Sequence, residues 1–403
     1  MSTVDDARAR DAADPLAVHR ALFVGEDTDL VYFDGNSLGR PLRTTAARLT
    51  AFVEQEWGGR LIRGWDERWY DLPLTLGDRL GEIVLGAEAG QTLVGDSTTV
   101  LLYKLARAAV DARPGRDEIV VDTDNFPTDR YVVEGIAAER GLTVRWIDTD
   151  PIAGVTPEQV AQAVGERTAV VVLSHVAYRS AWLADVREIT RLVHDAGALV
   201  LWDLCHSAGV VPIELDAWDV DLAVGCTYKY LNAGPGSPAF AYVAERHLAQ
   251  LRQPIQGWMG HADPFAMGPE YAPAPTMRRF LSGTPPIVGM LALEGMLDLL
   301  AEVGIEAVRE KSIALTSYVI DCAADLLPEA SLASPRDARE RGGHVTLSHP
   351  RMREVVAALW RRDVIPDYRD PGGLRLGLSP LSTSFVETYA GLQAVREALR
   401  SLS

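Results

Sequence analysis

Between residues 85 and 245, short runs of aliphatic residues alternate with longer stretches whose apolar positions recur at helical spacing. DEIVVD (117–122), TVRWID (143–148), TAVVVLSHV (168–176) and ALVLWDL (198–204) read as strands, since β-branched side chains suit a pleated, covered surface. Between them lie three segments of helical pattern: PTDRYVVEGIAAERG (127–141), with proline in its first turn; TPEQVAQAVG (156–165), with a threonine cap; and REITRLVHDAG (187–197). Two further runs follow, AVGCTYKY (223–230) and AFAYV (239–243). Alternation of this kind predicts an α/β domain whose mostly parallel sheet is covered by helices on both faces. After GTPP (283–286) the pattern changes to two long helical segments, then to short strands such as HVTLSH (344–349) and LRLGLSP (374–380). The expected layout is a large domain over 51–286, a smaller α+β C-terminal domain over 287–403, and an N-terminal arm over 1–50 that joins the smaller one.

The length of 403 residues suits a large domain plus a smaller one. A net charge of −17, from 39 basic against 56 acidic residues, argues against nucleic acid or an anionic membrane as a partner. The cysteines, Cys205, Cys226 and Cys322, are too few and too scattered for a disulfide framework or a zinc site, and no metal is expected. The opening stretch is acidic and polar and lacks the apolar core of a signal peptide. No run approaches the roughly 18 apolar residues needed to cross a bilayer. The expectation is a cytoplasmic protein acting on a small molecule.

In an open α/β sheet, ligands bind beyond the carboxyl ends of the strands, so the residues at those ends matter most. DNFPTD supplies Asp129, TAVVVL leads to Ser174, ALVLWDL ends at Asp203 with His206 three residues on, and AVGCT is followed by Tyr228 and Lys229. Upstream, GDSTTV offers Ser97, Thr98 and Thr99 before a helical run, a natural anion site. Lysine rarely lies buried unless paired. One chemistry uses all of these parts: a lysine amine forms a Schiff base with pyridoxal 5'-phosphate, a carboxylate partners the pyridinium nitrogen, and a helix N-terminus holds the phosphate. Lys229, Asp203 and the Thr98–Thr99 pair fill those roles. Each has a plainer reading when taken alone: a solvated strand-end lysine, a helix-capping aspartate, capping threonines. His206 can equally be a satisfied core histidine, and Trp258 a core or interface aromatic.

With these residues in hand, the sequence resembles the kynureninase family, pyridoxal-phosphate enzymes of the aspartate-aminotransferase fold (fold type I, class-V-like). The resemblance runs from about residue 30 to the C-terminus. It rests on YFDGNSLG (32–39), NFPTD (125–129), WDLCHSAG (202–209), GCTYKYLNAGPGSPAF (225–240), GWMGHADPFAM (257–267), SGTPP (282–286) and LRLGLSPLSTSF (374–385). It implies that Lys229 carries the cofactor and that Phe126 stacks on its ring. Asp129 and Asp203 would hold the ring's polar edge, with Ser174 and His206 beside it. Thr98, Thr99 and Tyr228 would contact the phosphate, joined by Trp258 and Thr284 from the neighbouring subunit of a homodimer. Arg375 matches the arginine that clamps the substrate α-carboxylate, a planar anion suited to a guanidinium fork. Asn36, Ser37, Leu38 and Trp65 are the expected outer pocket, with Trp65 equally able to be a core residue.

The implied activity is hydrolytic Cβ–Cγ cleavage of L-kynurenine, or its 3-hydroxy form, to an anthranilate and L-alanine in tryptophan degradation. Lys229 would move protons at Cα, and Tyr228 would return one to Cβ. A second reading keeps the cofactor but acts on an S-substituted cysteine by β-elimination or decarboxylation. A third is a non-catalytic protein that borrows the fold, which retention of Lys229 and Asp203 disfavours. The chain departs from many relatives at Leu101, where they have Asn, in YRSA (178–181), where they have YKTG, and at Ser382, where they have Tyr. None of these touches the cofactor set.

Overall fold

The computed structural model describes residues 3–402, so the first two residues of the arm and Ser403 lie outside it. Seven strands make the large sheet: β1 (Thr92–Gly95), β2 (Glu118–Asp122), β3 (Thr143–Ile147), β4 (Thr168–Ser174), β5 (Leu199–Asp203), β6 (Leu222–Gly225) and β7 (Ala239–Val243), in the order β1-β7-β6-β5-β4-β2-β3. Strand β7 runs antiparallel to both its neighbours, and the other pairings are parallel. Helices cover both faces, which is why β2 and β5 are buried along their whole length while the edge strand β3 is largely exposed. The expected strands and helices of this region are present. The run AVGCTYKY leaves the sheet at Gly225. Strand β1, only four residues long, lies outside the predicted set.

Short polar signals set the helix starts. Ser97 caps the helix Thr98–Asp111, and Asp185 caps Val186–Asp195. Thr156 and Gln159 form a capping box at the head of Pro157–Ala163.

The smaller sheet is antiparallel. It comprises β8 (Ser331–Leu332), β9 (His344–Ser348), β10 (Asp367–Arg369) and β11 (Gly373–Gly377), ordered β10-β11-β9-β8. Leu315, Val319, Val355, Leu376 and Leu392 pack in its core. The arm adds Val31–Tyr32, paired in parallel with Val364–Ile365, and buries Phe33 in the same core. Other arm residues, Leu16, Phe23 and Leu42, pack in the larger core. The helix Ile287–Val303 falls beyond the expected boundary at residue 287. Its Met290, Leu293, Leu297 and Leu300 nevertheless pack in the large-domain core, because apolar residues cover most of its circumference. Among the described residues no helix is long and apolar enough to cross a membrane.

Candidate active site

Strands β1, β2, β4, β5 and β6 all end at one edge of the large sheet. Lys229 stands four residues beyond β6 in a bend and is only 8% exposed. Its Nζ lies 3.2 Å from His206 Nε2 and 5.7 Å from the centroid of the Phe126 ring. Burial holds the His206 imidazole well below its usual pKa, helped by the charges of Lys229 and Arg375. The ring is therefore neutral, and its nitrogen can accept a hydrogen bond from the lysine ammonium. The loop carrying Lys229 is pinned from the arm side: the Gly39 N–H donates to the Tyr228 carbonyl at 2.9 Å. A Cβ at Gly39 would meet the Lys229 carbonyl oxygen at 2.4 Å, which accounts for the glycine that closes YFDGNSLG.

Asp129 comes from the first turn of the helix Pro127–Arg140, and Asp203 from the end of β5. Both are buried, and burial followed by the charge of Asp203 pushes the Asp129 carboxyl well above its usual range. Asp203 Oδ1 accepts the Cys205 N–H at 2.7 Å, whereas Asp129 Oδ2 has no hydrogen-bond partner among the described residues. Two buried carboxyls facing each other with an orphaned oxygen call for a cationic N–H donor. Ser174, beside Asp203 in sheet register, donates to Asn125 Oδ1 at 2.7 Å; the same oxygen accepts the Phe126 N–H at 2.8 Å. Asn125 thus fixes the approach of Phe126, whose ring meets Tyr178 edge-on at 5.3 Å.

At the head of the helix Thr98–Asp111, the first turn carries no acidic residue and Thr99 is exposed. The leading N–H groups of a helix have no intrahelical acceptor, so this end can hold an anion. Half-buried Tyr228 keeps its phenolic proton: burial, then the neighbouring Cys226 and Cys205 thiols, raise its pKa. An orphaned Asp129 oxygen facing Asp203, a buried amine and an anion-ready helix end fit pyridoxal 5'-phosphate.

A second cluster forms where the arm, the large domain and the small sheet meet. Arg375, on β11 and 1% exposed, donates through Nη1 to the Tyr178 carbonyl at 2.8 Å and through Nη2 to Ser37 Oγ at 2.7 Å. Its Nη2 also lies 2.6 Å from Asp367 Oδ2 and 3.8 Å from Asp34 Oδ1. His344 on β9 is fully buried, and its ring stands 5.8 Å from that of His206. Asn36 is fully buried against Gly377, where a Cβ would meet Asn36 Oδ1 at 1.8 Å.

Other expected site residues make no hydrogen bond, ion pair or ring contact with Lys229 or Arg375 among the described residues. Trp258 is 41% exposed and meets Phe265 edge-on, and Thr284 is exposed. Trp65 packs edge-to-face on Trp69 at 5.6 Å. Ser382 is buried and lines a cleft of about 270 Å³ with Arg40 and Glu387. Leu101 is a core residue of the helix Thr98–Asp111. Ala181 has a φ of 64°, a left-handed conformation that favours glycine. The sequence reading did not mark Asp34, Asn125, His344 or Asp367. Asp34 and Asn125 stand inside YFDGNSLG and NFPTD, whereas nothing local distinguishes Asp367.

Residues 83–361 match the family described as aminotransferase class-V. Among solved structures, a C-DES mutant with glycine covalently linked to its PLP cofactor superposes with a TM-score of 0.82 at 19% identity, covering 93% of this chain and 98% of that one. An apo cysteine desulfurase from Thermococcus onnurineus gives 0.80 at 18% identity, covering 100% and 99%. At such identities the likeness is one of fold, and the fold is that of the fold-type-I enzymes. Sequence relatives are more specific. The kynureninase of Pseudomonas fluorescens is 42% identical over 411 aligned residues, covering 99% of this chain and 96% of the relative, and that of Burkholderia pseudomallei is 43% identical with the same coverage. The chain therefore belongs to the kynureninase family, within the class-V aminotransferases.

Proposed function

We propose that this protein is a pyridoxal-phosphate-dependent hydrolase that cleaves L-kynurenine, or its 3-hydroxy form, into the matching anthranilate and L-alanine. The observation that carries this is the 42% identity to a kynureninase over 99% of the chain, on a sheet edge where Lys229 meets His206 and two facing aspartates. When bound, pyridoxal phosphate supplies an aldehyde for amines and a ring that withdraws electrons from the substrate α-carbon. Lys229 would hold the cofactor, and its amine would move the proton at the substrate α-carbon. Asp203 would partner the ring nitrogen and Asp129 would help hold the ring's polar edge, Phe126 would stack on the ring, and Ser174 and His206 would lie beside it. Thr98, Thr99 and Tyr228 hold the phosphate end. Water adds to the side-chain carbonyl and the Cβ–Cγ bond breaks, with protonated Tyr228 as the acid for Cβ. Arg375 holds the α-carboxylate, with Asn36, Ser37 and Trp65 in the outer pocket.

The working unit is a cytoplasmic homodimer in which Trp258 and Thr284 complete the partner's phosphate site. Their exposure supports this assignment. Cleavage of an S-substituted cysteine is not favoured, since the cysteine desulfurases and cystine C-S lyase that share the fold are only 17–19% identical. The test follows anthranilate fluorescence and alanine together, with kynurenine and 3-hydroxykynurenine as substrates. Equal release of both products is expected. Release of pyruvate or carbon dioxide from a cysteine conjugate, with neither kynurenine cleaved, would overturn the proposal.

A further inference from the structure

We propose that Asp34 is a displaceable counter-ion of Arg375: an incoming substrate carboxylate takes over the guanidinium, and Asp34 turns away and takes up a proton. The inference rests on the reading of Arg375 as the carboxylate site. Its basis is the inequality of the two acids on that guanidinium. Asp367 stands directly across the strand pair from Arg375, and its Oδ2 is 2.6 Å from Arg375 Nη2 and 3.0 Å from Arg369 Nε. Two cations hold it. Asp34 Oδ1 stands further off, 3.8 Å from Arg375 as its one ion-pair neighbour among the described residues. Neither this oxygen nor Asp367 Oδ2 makes a hydrogen bond among those residues. The inequality lies in distance and in the number of cations, and the Asp34 carboxyl is otherwise held by Ser37. The backbone of Asp34 is fixed, bridged to Gly377 and accepting the N–H groups of Ser37 and Leu38. Release therefore needs a side-chain rotation that gives up the Ser37 contact but leaves the backbone in place.

Charge balance gives the direction. Arg375 and Arg369 together offset Asp34 and Asp367, so a third carboxylate leaves this partly buried cluster one negative charge in excess, and protonating Asp34 restores neutrality. The groups facing Asp34 are Ser37 on the arm, Asp367 and Arg369 on β10, and Arg375 on β11, with Tyr32 and Tyr230 also in electrostatic reach. Burial first, and Asp367 next among the raising influences, already lift its carboxyl to about 6, against the lowering pull of Ser37, Arg375 and Arg369. A bound carboxylate raises it further. Binding is then tightest where Asp34 is protonated in the free protein, and it weakens by up to about tenfold per pH unit above 6, the slope for one proton.

The test measures KM and kcat for L-kynurenine from pH 5.5 to 9 in the wild type, Asp34→Asn and Arg375→Lys holoenzymes. Proton uptake on adding L-alanine is read in parallel, by calorimetry in two buffers of different ionisation enthalpy. The expected result is a wild-type KM that climbs with pH above 6, a flatter and lower KM in Asp34→Asn at pH 8, and up to one proton less taken up by that variant. A visible cofactor band and an unchanged melting curve at pH 4 verify folding. Identical KM profiles and equal proton uptake in wild type and Asp34→Asn, while Arg375→Lys raises KM, would overturn the inference alone. So would a KM raised at every pH in Asp34→Asn, which would make Asp34 a fixed support. A wild-type KM in Arg375→Lys would instead overturn the reading of Arg375.

Discussion

The Lys229 cluster and the Arg375 cluster bring their charges to rest in opposite ways. Around Lys229 the charged groups are short of partners: two buried carboxyls face each other, Asp129 Oδ2 has no donor among the described residues, and the amine leans on a neutral imidazole. Around Arg375 the cation is over-supplied, with a carbonyl, a hydroxyl and two carboxylates on one guanidinium. The first site is incomplete until a ligand fills it. The second already holds its cation between counter-ions, although Arg375 Nε and Asp34 Oδ1 have no hydrogen-bond partner among the described residues, and it must exchange one of those counter-ions when a ligand carboxylate arrives. An unpaired buried charge is costly, so the first site favours a permanently held group, whereas the second suits a ligand that comes and goes.

Substitutions can break that contrast. Lys229→Ala has the largest expected effect: loss of the visible band of lysine-bound cofactor and a fall in kcat on the order of 10³-fold or more, in a chain that still folds. Absorbance and turnover measured together check this, and a surviving band that resists borohydride would move the attachment elsewhere. Arg375→Lys should leave the band alone and lower kcat/KM roughly ten- to hundredfold, since a point charge forfeits a charged hydrogen bond worth about 1.5–3 kcal/mol.

Asp34→Asn tests the over-supplied site through stability. The folded carboxyl titrates at about 6, above its ordinary 3.8, so the folded state binds the extra proton between those values. Wild-type stability therefore falls as pH rises from about 4 to 6, and the loss persists above that. The variant lacks this slope, so it should match the wild type near pH 4 and exceed it at pH 7 by about 1–3 kcal/mol in denaturant unfolding. The smallest effect is expected at Ala181→Gly, which relieves a left-handed backbone beside Tyr178 and should stabilise by roughly 0.5–1 kcal/mol.

The two clusters also differ in how far the sequence discloses them. Lys229, Asp203, Ser174 and Asp129 each follow a strand that the hydrophobic pattern marks, and parallel strands deliver their carboxyl ends to one edge. That half is legible from periodicity. The other half is assembled from three distant segments: residues 34–37, the Tyr178 carbonyl and strands β10 and β11. Backbone carbonyls have no sequence signature, and Asp367 gains its role only from cross-strand register with Arg375. The placement of the helix Ile287–Val303 was obscured for a related reason, because an almost wholly apolar helix does not announce which core it joins. Trp258 and Thr284 are exposed in the single chain, and no strand-end pattern marks them.

The account's central claim is that both clusters act on one molecule, with Lys229 working at its α-carbon and Arg375 reading its carboxylate. The most direct measurement compares L-kynurenine with its decarboxylated analogue, which keeps the amine and aryl ketone, in wild type and Arg375→Lys. The account predicts equimolar anthranilate and alanine from kynurenine, and much slower cleavage of the analogue. It also predicts a penalty from Arg375→Lys that appears with kynurenine and vanishes with the analogue, since the two changes remove the same interaction. An equal penalty on both substrates, or no anthranilate from kynurenine, would contradict it.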